Sequence, residues 1–207
     1  MTLRILALFA IALGAAVLID YLTELGKGPW SDPSARHLRA MKDRTGSPAG
    51  LEPFTIAAMA GLPRRAPLRE VAPIERRGVV VEGYVQRMER AADGDYHLDF
   101  APETRGPDGP LVPFVSAEIT PQWHRDSGTW RYERLVDVLR PIYGGVTTWD
   151  RGPRRVRLGG WLTYDFEYEG SRPVAPFPPH LSFWEIHPVT RIEVWDEARA
   201  AYVEVPR

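Results

Sequence analysis

The stretch that decides the fold is Arg154-Arg-Val-Arg-Leu-Gly-Gly-Trp-Leu-Thr-Tyr-Asp-Phe-Glu-Tyr168, followed after a proline-rich gap by Phe183-Trp-Glu-Ile-His-Pro-Val-Thr-Arg-Ile-Glu-Val-Trp195. In the first part apolar and polar side chains alternate, which is typical of a half-buried β-strand. Gly159 and Gly160 interrupt the alternation and predict a β-bulge, after which Trp161 faces either the core or the surface. The second part predicts a turn at Pro188 and a strand over residues 189–195. Together these parts predict the closing strands of a small, bent β-barrel.

Three further strands are predicted upstream. Residues 79–88 and residues 96–100 alternate between apolar and polar side chains, and Asp93-Gly94 between them is a hairpin signal. Residues 111–119 form the third strand, with an early proline that favours an edge or a bulge. Gly83, in the middle of the first strand, indicates a bulge or bend of the kind that a small barrel needs.

The period of the apolar residues changes between the third and fourth strands. Spacings of three and four predict one helical face, which contains Tyr132, Leu135, Val136, Leu139, Ile142 and Tyr143. The protein is therefore expected to be mainly β, in the order three strands, one helix, two strands. This is the order of the OB-fold, a five-stranded Greek-key barrel with its helix between strands 3 and 4. An SH3-like barrel or a β-sandwich is the alternative, although neither accounts for the single helix.

The chain is predicted to have three parts. Residues 1–22 hold an uncharged apolar run behind Arg4, which predicts an N-terminal hydrophobic helix serving as a membrane anchor or signal segment. Residues 23–77 are rich in Gly, Pro, Ser and charge and predict a linker with short helices. Residues 78–207 form the barrel domain. Because Arg4 is expected to stay cytoplasmic, that domain is expected outside the cytoplasm, held by a single-pass anchor or secreted if the signal is cleaved.

The amino-acid composition argues against several classes of partner and of functional site. The sequence has 26 Lys and Arg against 27 Asp and Glu, a formal net charge of −1. Proteins that grip a phosphate backbone usually carry a basic excess, so nucleic acid is not expected as a partner. The absence of cysteine removes disulfides, thiolate metal sites and a cysteine nucleophile.

One motif resembles a known group of proteins. Gly160-Trp-Leu-Thr-Tyr-Asp165, a proline-rich gap, and Trp184-Glu-Ile-His-Pro-Val-Thr-Arg-Ile-Glu-Val194 together resemble bacterial secreted or membrane-anchored OB-like proteins of uncharacterised function. The resemblance covers about residues 78–194 and is strongest in the last third. It implies the barrel fold and an extracytoplasmic setting, and it implies no activity.

Aromatic and arginine side chains on the barrel strands are candidates for ligand binding. OB barrels often present aromatic rings and cationic groups to a ligand from their central strands. The candidate stacking platform comprises Tyr84, Arg87, Arg157, Trp161 and Tyr164. The competing interpretation is that most of these aromatic side chains fill the small barrel.

Glu185 and His187 are the residues most easily mistaken for a catalytic or metal pair. They lie two residues apart, but no other histidine shows ligand spacing to His187, so no metal site is predicted. Ser182 lacks the Gly-x-Ser-x-Gly turn of a nucleophile, which argues against a triad with His187 and Asp165. We expect an architectural role, with Trp184 buried and both polar side chains bonded locally.

The sequence thus predicts a membrane-anchored, extracytoplasmic binding or assembly module that is not an enzyme and has no cofactor. Its expected partners are a protein, a peptide or an oligosaccharide, besides the membrane itself. The alternative is an extracytoplasmic nuclease or other hydrolase on the same scaffold, which would require Asp165, Glu185 and His187 to converge in an open cleft.

Overall fold

The computed structural model describes residues 32–105, 110–124, 129–142, 153–169 and 179–207. The predicted hydrophobic helix of residues 1–22 lies outside these ranges. None of the helices within them is long and apolar enough to cross a membrane. The chain divides into two compact units, residues 1–40 and residues 41–207. In the first unit, the backbone N–H of Ser34 donates to Asp32 Oδ1 over 2.9 Å at the start of a helix.

The described elements comprise five α-helices, one 3-10 helix and seven strands. In chain order they are α1 (Pro33–Lys42), β1 (Glu52–Phe54), α2 (Ile56–Ala60), α3 (Leu68–Ile74), β2 (Gly78–Arg90), β3 (Tyr96–Ala101), β4 (Val115–Ile119), α4 (Pro121–His124), α5 (Tyr132–Leu139), β5 (Arg155–Tyr164), the 3-10 helix (Phe166–Tyr168), β6 (Trp184–Asp196) and β7 (Ala201–Glu204).

Five strands close a barrel, and the mainly β prediction is confirmed. Their order around the barrel is β2, β3, β4, β6 and β5, and β5 then pairs with β2. The β4–β6 pair is parallel, with Ala117 opposite Ile186, and the other barrel pairs are antiparallel. Two extra strands extend the sheet, because β1 runs parallel to β2 and β7 runs antiparallel to β6.

Alternate side chains of the strands point inward and fill the barrel. Inward-facing side chains that are almost completely buried include Val79, Val81, Leu98, Phe100, Ala117, Leu158, Leu162 and Ile186. The predicted bulge is confirmed, since the β5–β6 register shifts on both sides of Gly160. In β2 the register shift lies between Val85 and Arg87 instead of at Gly83. Gly83 is required for space, because a Cβ there would lie 2.5 Å from the carbonyl oxygen of Ala101.

The predicted helix is present but shorter, and it is accompanied by a second. Leu135, Val136 and Leu139 of α5 are buried as predicted. The helix ends at Leu139, and Arg140 after it adopts a left-handed φ of 54°, because Pro141 disfavours a helical conformation at the residue before it. The short helix α4 also lies between β4 and β5, so the described part of this connection holds two helical segments where one was predicted.

Three predicted strand boundaries were wrong. β4 begins at Val115, four residues later than expected, and β5 stops at Tyr164, where the Asp165 carboxylate caps the 3-10 helix by accepting from the Glu167 N–H. The turn predicted at Pro188 is strand instead, because β6 already begins at Trp184 and pairs with β5. The peptide bond between His187 and Pro188 is cis.

Residues 41–77, which were predicted as linker with short helices, pack against the barrel. Ile56 and Met59 of α2 and Val71 of α3 are buried in the main core. The helix α2 contacts both β2 and β6. The unit described by residues 41–207 is therefore larger than the predicted domain of residues 78–207.

Candidate functional site

The predicted platform does not form one surface. Arg87 is held by the Asp99 carboxylate at 2.7 and 3.0 Å. Arg157 lies 3.9 Å from the ring centroid of Tyr202 and 3.5 Å from a Glu82 oxygen. Tyr84 pairs in register with Arg155, two residues along β5 from Arg157. Tyr84 and Arg157 therefore share the β2–β5 region, while Arg87 belongs to the β2–β3 pair.

The other two platform residues have structural roles. Trp161 is half-buried on the outer surface, where its indole N–H donates to the Gly46 carbonyl over 2.8 Å and the Arg44 guanidinium stacks on its ring. Tyr164 faces the core and is 3% exposed. Its hydroxyl accepts from the Arg65 N–H, and its ring packs 5.0 Å from that of Trp184. Tyr164 is therefore not available to a ligand in this arrangement.

A groove of about 800 Å³ lies beside Tyr84. It is lined by Tyr84, Arg140, Pro153, Arg154, Arg155, Trp195, Asp196, Glu197 and Ala198. The Arg155 guanidinium lies 5.0 Å from the Trp195 ring centroid and donates to Glu82 over 2.6 Å. Burial lowers the pKa of Arg154, and the positive charge of Arg140 lowers it further. The Asp196 carboxylate opposes this shift, so both signs of charge lie beside Arg154 at one side of the groove.

A second feature, which we call the buried charged cluster, was not predicted from the sequence. It consists of Lys42, Asp95, Glu118, Asp165, Glu185 and His187. The strands explain the convergence: Ala117 and Ile186 point into the barrel, so Glu118 of β4 and Glu185 and His187 of β6 point to its outer side. There they are covered, and all three side chains are only 1–3% exposed.

The cluster is held by short contacts. His187 Nδ1 lies 2.9 Å from Glu118 Oε2 and 3.1 Å from Glu185 Oε1. Lys42 Nζ lies 2.5 Å from Asp165 Oδ2 and 3.7 Å from Glu185 Oε1. His187 Nε2 lies 3.8 Å from Asp95 Oδ2. Asp165, Glu185 and His187 are therefore linked, through Lys42 and through the Glu185–His187 contact.

Two opposed effects set the pKa values within the cluster. Burial disfavours the charged form of each group, and pairing with an opposite charge favours it. Burial alone would lower the pKa of His187, but hydrogen bonds and charges from Glu118 and Glu185 raise it to about 10. Burial alone would raise the pKa of Glu118, but the His187 contact lowers it. Burial raises the pKa of Glu185, and the neighbouring Glu118 charge adds to the effect. The arrangement favours an imidazolium flanked by one firmly ionised carboxylate.

The architectural expectations for this region are largely confirmed. Trp184 is completely buried and its indole N–H donates to the Pro63 carbonyl over 2.7 Å. His187 has a local contact, to Glu185, but its shortest contact is to Glu118 on the neighbouring strand β4. Ser182 Oγ donates to the Met59 carbonyl and accepts from the Trp184 N–H, which leaves it no role as a nucleophile.

Sequence reasoning missed Lys42, Asp95 and Glu118. Glu118 offered one signal, since it lies in the apolar strand segment Val115-Ser-Ala-Glu-Ile119. Lys42 and Asp95 gave no such signal, because they lie in segments that are polar in sequence and meet the cluster only in the folded chain. No protein-family model matches this sequence, and no curated protein is significantly similar to it.

Proposed function

We propose that the chain is a ligand-binding module on an OB-like barrel, held at the outer side of a membrane by residues 5–22. The barrel order β2, β3, β4, β6, β5 and the parallel β4–β6 pair support the OB-like assignment, as do the helices between β4 and β5. The uncharged run behind Arg4 supports the anchor. A protease-accessibility assay on spheroplasts tests the topology: protection of the barrel domain would contradict it.

The groove beside Tyr84 is the observation that carries the binding function. Its volume of about 800 Å³ lies within the range of ligand pockets. Tyr84 and Trp195 offer ring faces, and Arg154 offers a guanidinium group that suits a carboxylate. An anionic group on the ligand would relieve the repulsion between Arg154 and Arg140, which Asp196 offsets in part.

The ligand that fits best is an extended peptide segment with acidic side chains. Asp196 and Glu197 line the same groove as the arginines, so the lining carries both signs of charge. A peptide supplies carboxylates for the arginines and backbone N–H groups for the acidic residues, whereas a polyanion would be repelled by the latter. Tyrosine and tryptophan suit peptide contacts because they bury large areas at low entropic cost.

A displayed random peptide library tests the proposal on the full chain in detergent. We expect acid-bearing peptides to be selected, and we expect Arg154→Gln and Tyr84→Ala to weaken their binding. Arg191→Gln is the matched control, because Arg191 lies on β6, is paired with Glu193 and does not line the groove. Selection without any acidic preference, or equal binding by all three variants, would contradict it. Binding to an oligosaccharide array without selection of any peptide would mean that the ligand is a glycan instead of a peptide.

The hydrolase alternative has one observation in its favour. Asp165, Glu185 and His187 do come together, as that alternative requires. However, their side chains are only 1–3% exposed, so within the described residues no open cleft leads to them. Hydrolysis of nucleic acid or a simple ester by the wild-type chain that is lost in His187→Gln would favour the enzyme over the binding module.

A further inference from the structure

The parallel pairing of β4 with β6 closes the barrel, and we call it the β4–β6 junction. Within the described strands its register consists of the single pair Ala117–Ile186, whereas the antiparallel pairs of the barrel extend over longer runs. Parallel pairing is also slightly less stable per residue than antiparallel pairing. Side-chain contacts across this junction therefore matter for how the barrel closes.

Glu118 of β4 and His187 of β6 meet across the junction, and Glu185 joins them. His187 Nδ1 lies 2.9 Å from Glu118 Oε2 and 3.1 Å from Glu185 Oε1, so a single N–H group faces two carboxylates and cannot give both a full hydrogen bond. Glu118 has a second imidazole beside it, since His97 Nε2 lies 3.5 Å from its Oε1. The second cation beside Glu185 is Lys42, whose Nζ lies 3.7 Å away, beyond hydrogen-bond distance. Glu185 is therefore the less well-paired carboxylate.

The charges around the Glu185–His187 pair are unbalanced. The ionisable groups that surround this pair from the neighbouring elements are Lys42, Asp95, His97, Glu118, Asp165 and Tyr168. With Glu185 ionised, the carboxylates of the buried charged cluster outnumber its two cations, the Lys42 ammonium and the His187 imidazolium. Buried charges are costly unless they are paired. Because the Glu185 side chain is only 3% exposed and poorly paired, a proton on its carboxylate relieves this excess most directly.

We propose that Glu185 is a proton-binding switch for the β4–β6 junction. With a proton, Glu185 is neutral, and the Glu118–His187 ion pair joins the two strands. Without the proton, Glu185 on β6 and Glu118 on β4 are two anions on opposite sides of the junction, and their repulsion works against the strand pairing. Mild acid therefore closes the junction, and a higher pH loosens it. This inference does not depend on the peptide groove, so either proposal can fail without the other.

The direction of the pH dependence follows from the pKa of each group. Burial and the Glu118 charge raise the pKa of Glu185 from 4.5 to about 7. The contribution of its proton to stability is therefore complete below about pH 4.5 and is lost as pH rises through about 7. Against the effect of burial, hydrogen bonds to Glu118 and Glu185 raise the pKa of His187 to about 10, so most of its proton loss falls at higher pH. Against the effect of burial, the His187 contact lowers the pKa of Glu118, which stays ionised throughout.

Glu185→Gln tests the switch in the full-length chain in detergent, because glutamine keeps the shape of the neutral acid and cannot ionise. Urea unfolding of wild type and variant is compared between about pH 5 and about pH 8. We expect the unfolding constant of wild type, divided by that of the variant, to rise on the order of 100-fold over this range, because the pKa of Glu185 rises from 4.5 to about 7 on folding.

Glu193→Gln is the matched control, because Glu193 lies on the same strand, is paired with Arg191 and lies outside the cluster. Its ratio should change by no more than about five-fold, as expected for a surface ion pair. A Glu185→Gln ratio as flat as that of the control would overturn the proposal.

A measurement on the wild-type chain keeps the test independent of whether the variant folds. The ¹³C signal of the Glu185 side-chain carboxyl is followed by NMR as the pH is raised. We expect its midpoint near pH 7, as the contacts of this carboxyl imply. A midpoint at about 4.3, the ordinary value for glutamate, would overturn the proposal.

Hydrogen exchange locates the effect in the fold. Protection of the backbone amides, corrected for the base-catalysed rate, is compared between about pH 5 and about pH 8. We expect protection to fall in β4 and in residues 184–188 of β6, while the β2–β5 pair keeps its protection. In Glu185→Gln this local difference should disappear. An equal change in both strand pairs, or no change in either, would contradict a switch at the junction.

Discussion

The substitution Gly160→Ala tests how the barrel closes. A Cβ at this position would overlap the Pro188 carbonyl oxygen, and it would lie 2.8 Å from Ile186 Cγ2 and 3.1 Å from the Pro188 carbonyl carbon. Because two of these atoms belong to the backbone of β6, no side-chain rotation can make room. The β5 and β6 backbones must separate at the point where their register shifts.

The cost can be worked from this geometry. An added methyl group in a packed site costs typically about 1–3 kcal/mol, and a rigid backbone neighbour favours the upper half of that range. For a chain of this size each kcal/mol lowers the melting temperature by about 2–4 °C, so a drop of roughly 4–12 °C is expected.

Thermal unfolding followed by near-UV circular dichroism measures the effect. Gly50→Ala is the matched control, since a Cβ there meets nothing within 4 Å. We expect the control to keep or slightly raise the melting temperature, because alanine reduces the entropy of the unfolded chain. If the melting temperature of Gly160→Ala lies within about 1 °C of the wild-type value, the close approach of β5 to β6 is not as described.

Two further substitutions probe the packing of the core, and a third probes the titration of Tyr164. Trp184→Ala should cost about 3–5 kcal/mol in urea unfolding, because it empties a completely buried site and leaves the Pro63 carbonyl unpaired; a cost similar to that of Trp184→Phe would argue against tight packing. Leu139→Ala should cost about 2–5 kcal/mol, and an unchanged melting temperature would mean that α5 does not cap the core. Burial and the Glu169 contact raise the pKa of Tyr164 to about 12, so the folded state favours the neutral phenol. That contribution is complete below about pH 10 and is lost as pH rises through about 12, so Tyr164→Phe should flatten the alkaline loss of stability, and identical pH profiles would contradict this.

The local elements could be predicted from the amino-acid sequence alone. Alternation located the strands β2, β3 and β5, the spacing of Leu135 and Leu139 located α5, and Gly159-Gly160 located the bulge, because each depends on residues that are close in the chain. The strand order and the intervening helix also gave the mainly β barrel. The boundaries of β6 were missed, since Pro188 is a turn signal that strand pairing with β5 overrode.

Which side chains meet depends on the long-range pairing of the folded chain. The platform of Tyr84, Arg87, Arg157, Trp161 and Tyr164 was assembled from residue types, and the folded chain gives most of its members separate partners. His187 and Glu118 are far apart in sequence, and their contact depends on the parallel pairing of β4 with β6, which no local pattern encodes. Long-range pairing places charges and donors together because strand neighbours need not be sequence neighbours. The buried charged cluster therefore follows from the fold: Asp165, Glu185 and His187 stand in a sequence motif, but nothing in that motif predicts that they meet Lys42, Asp95 and Glu118.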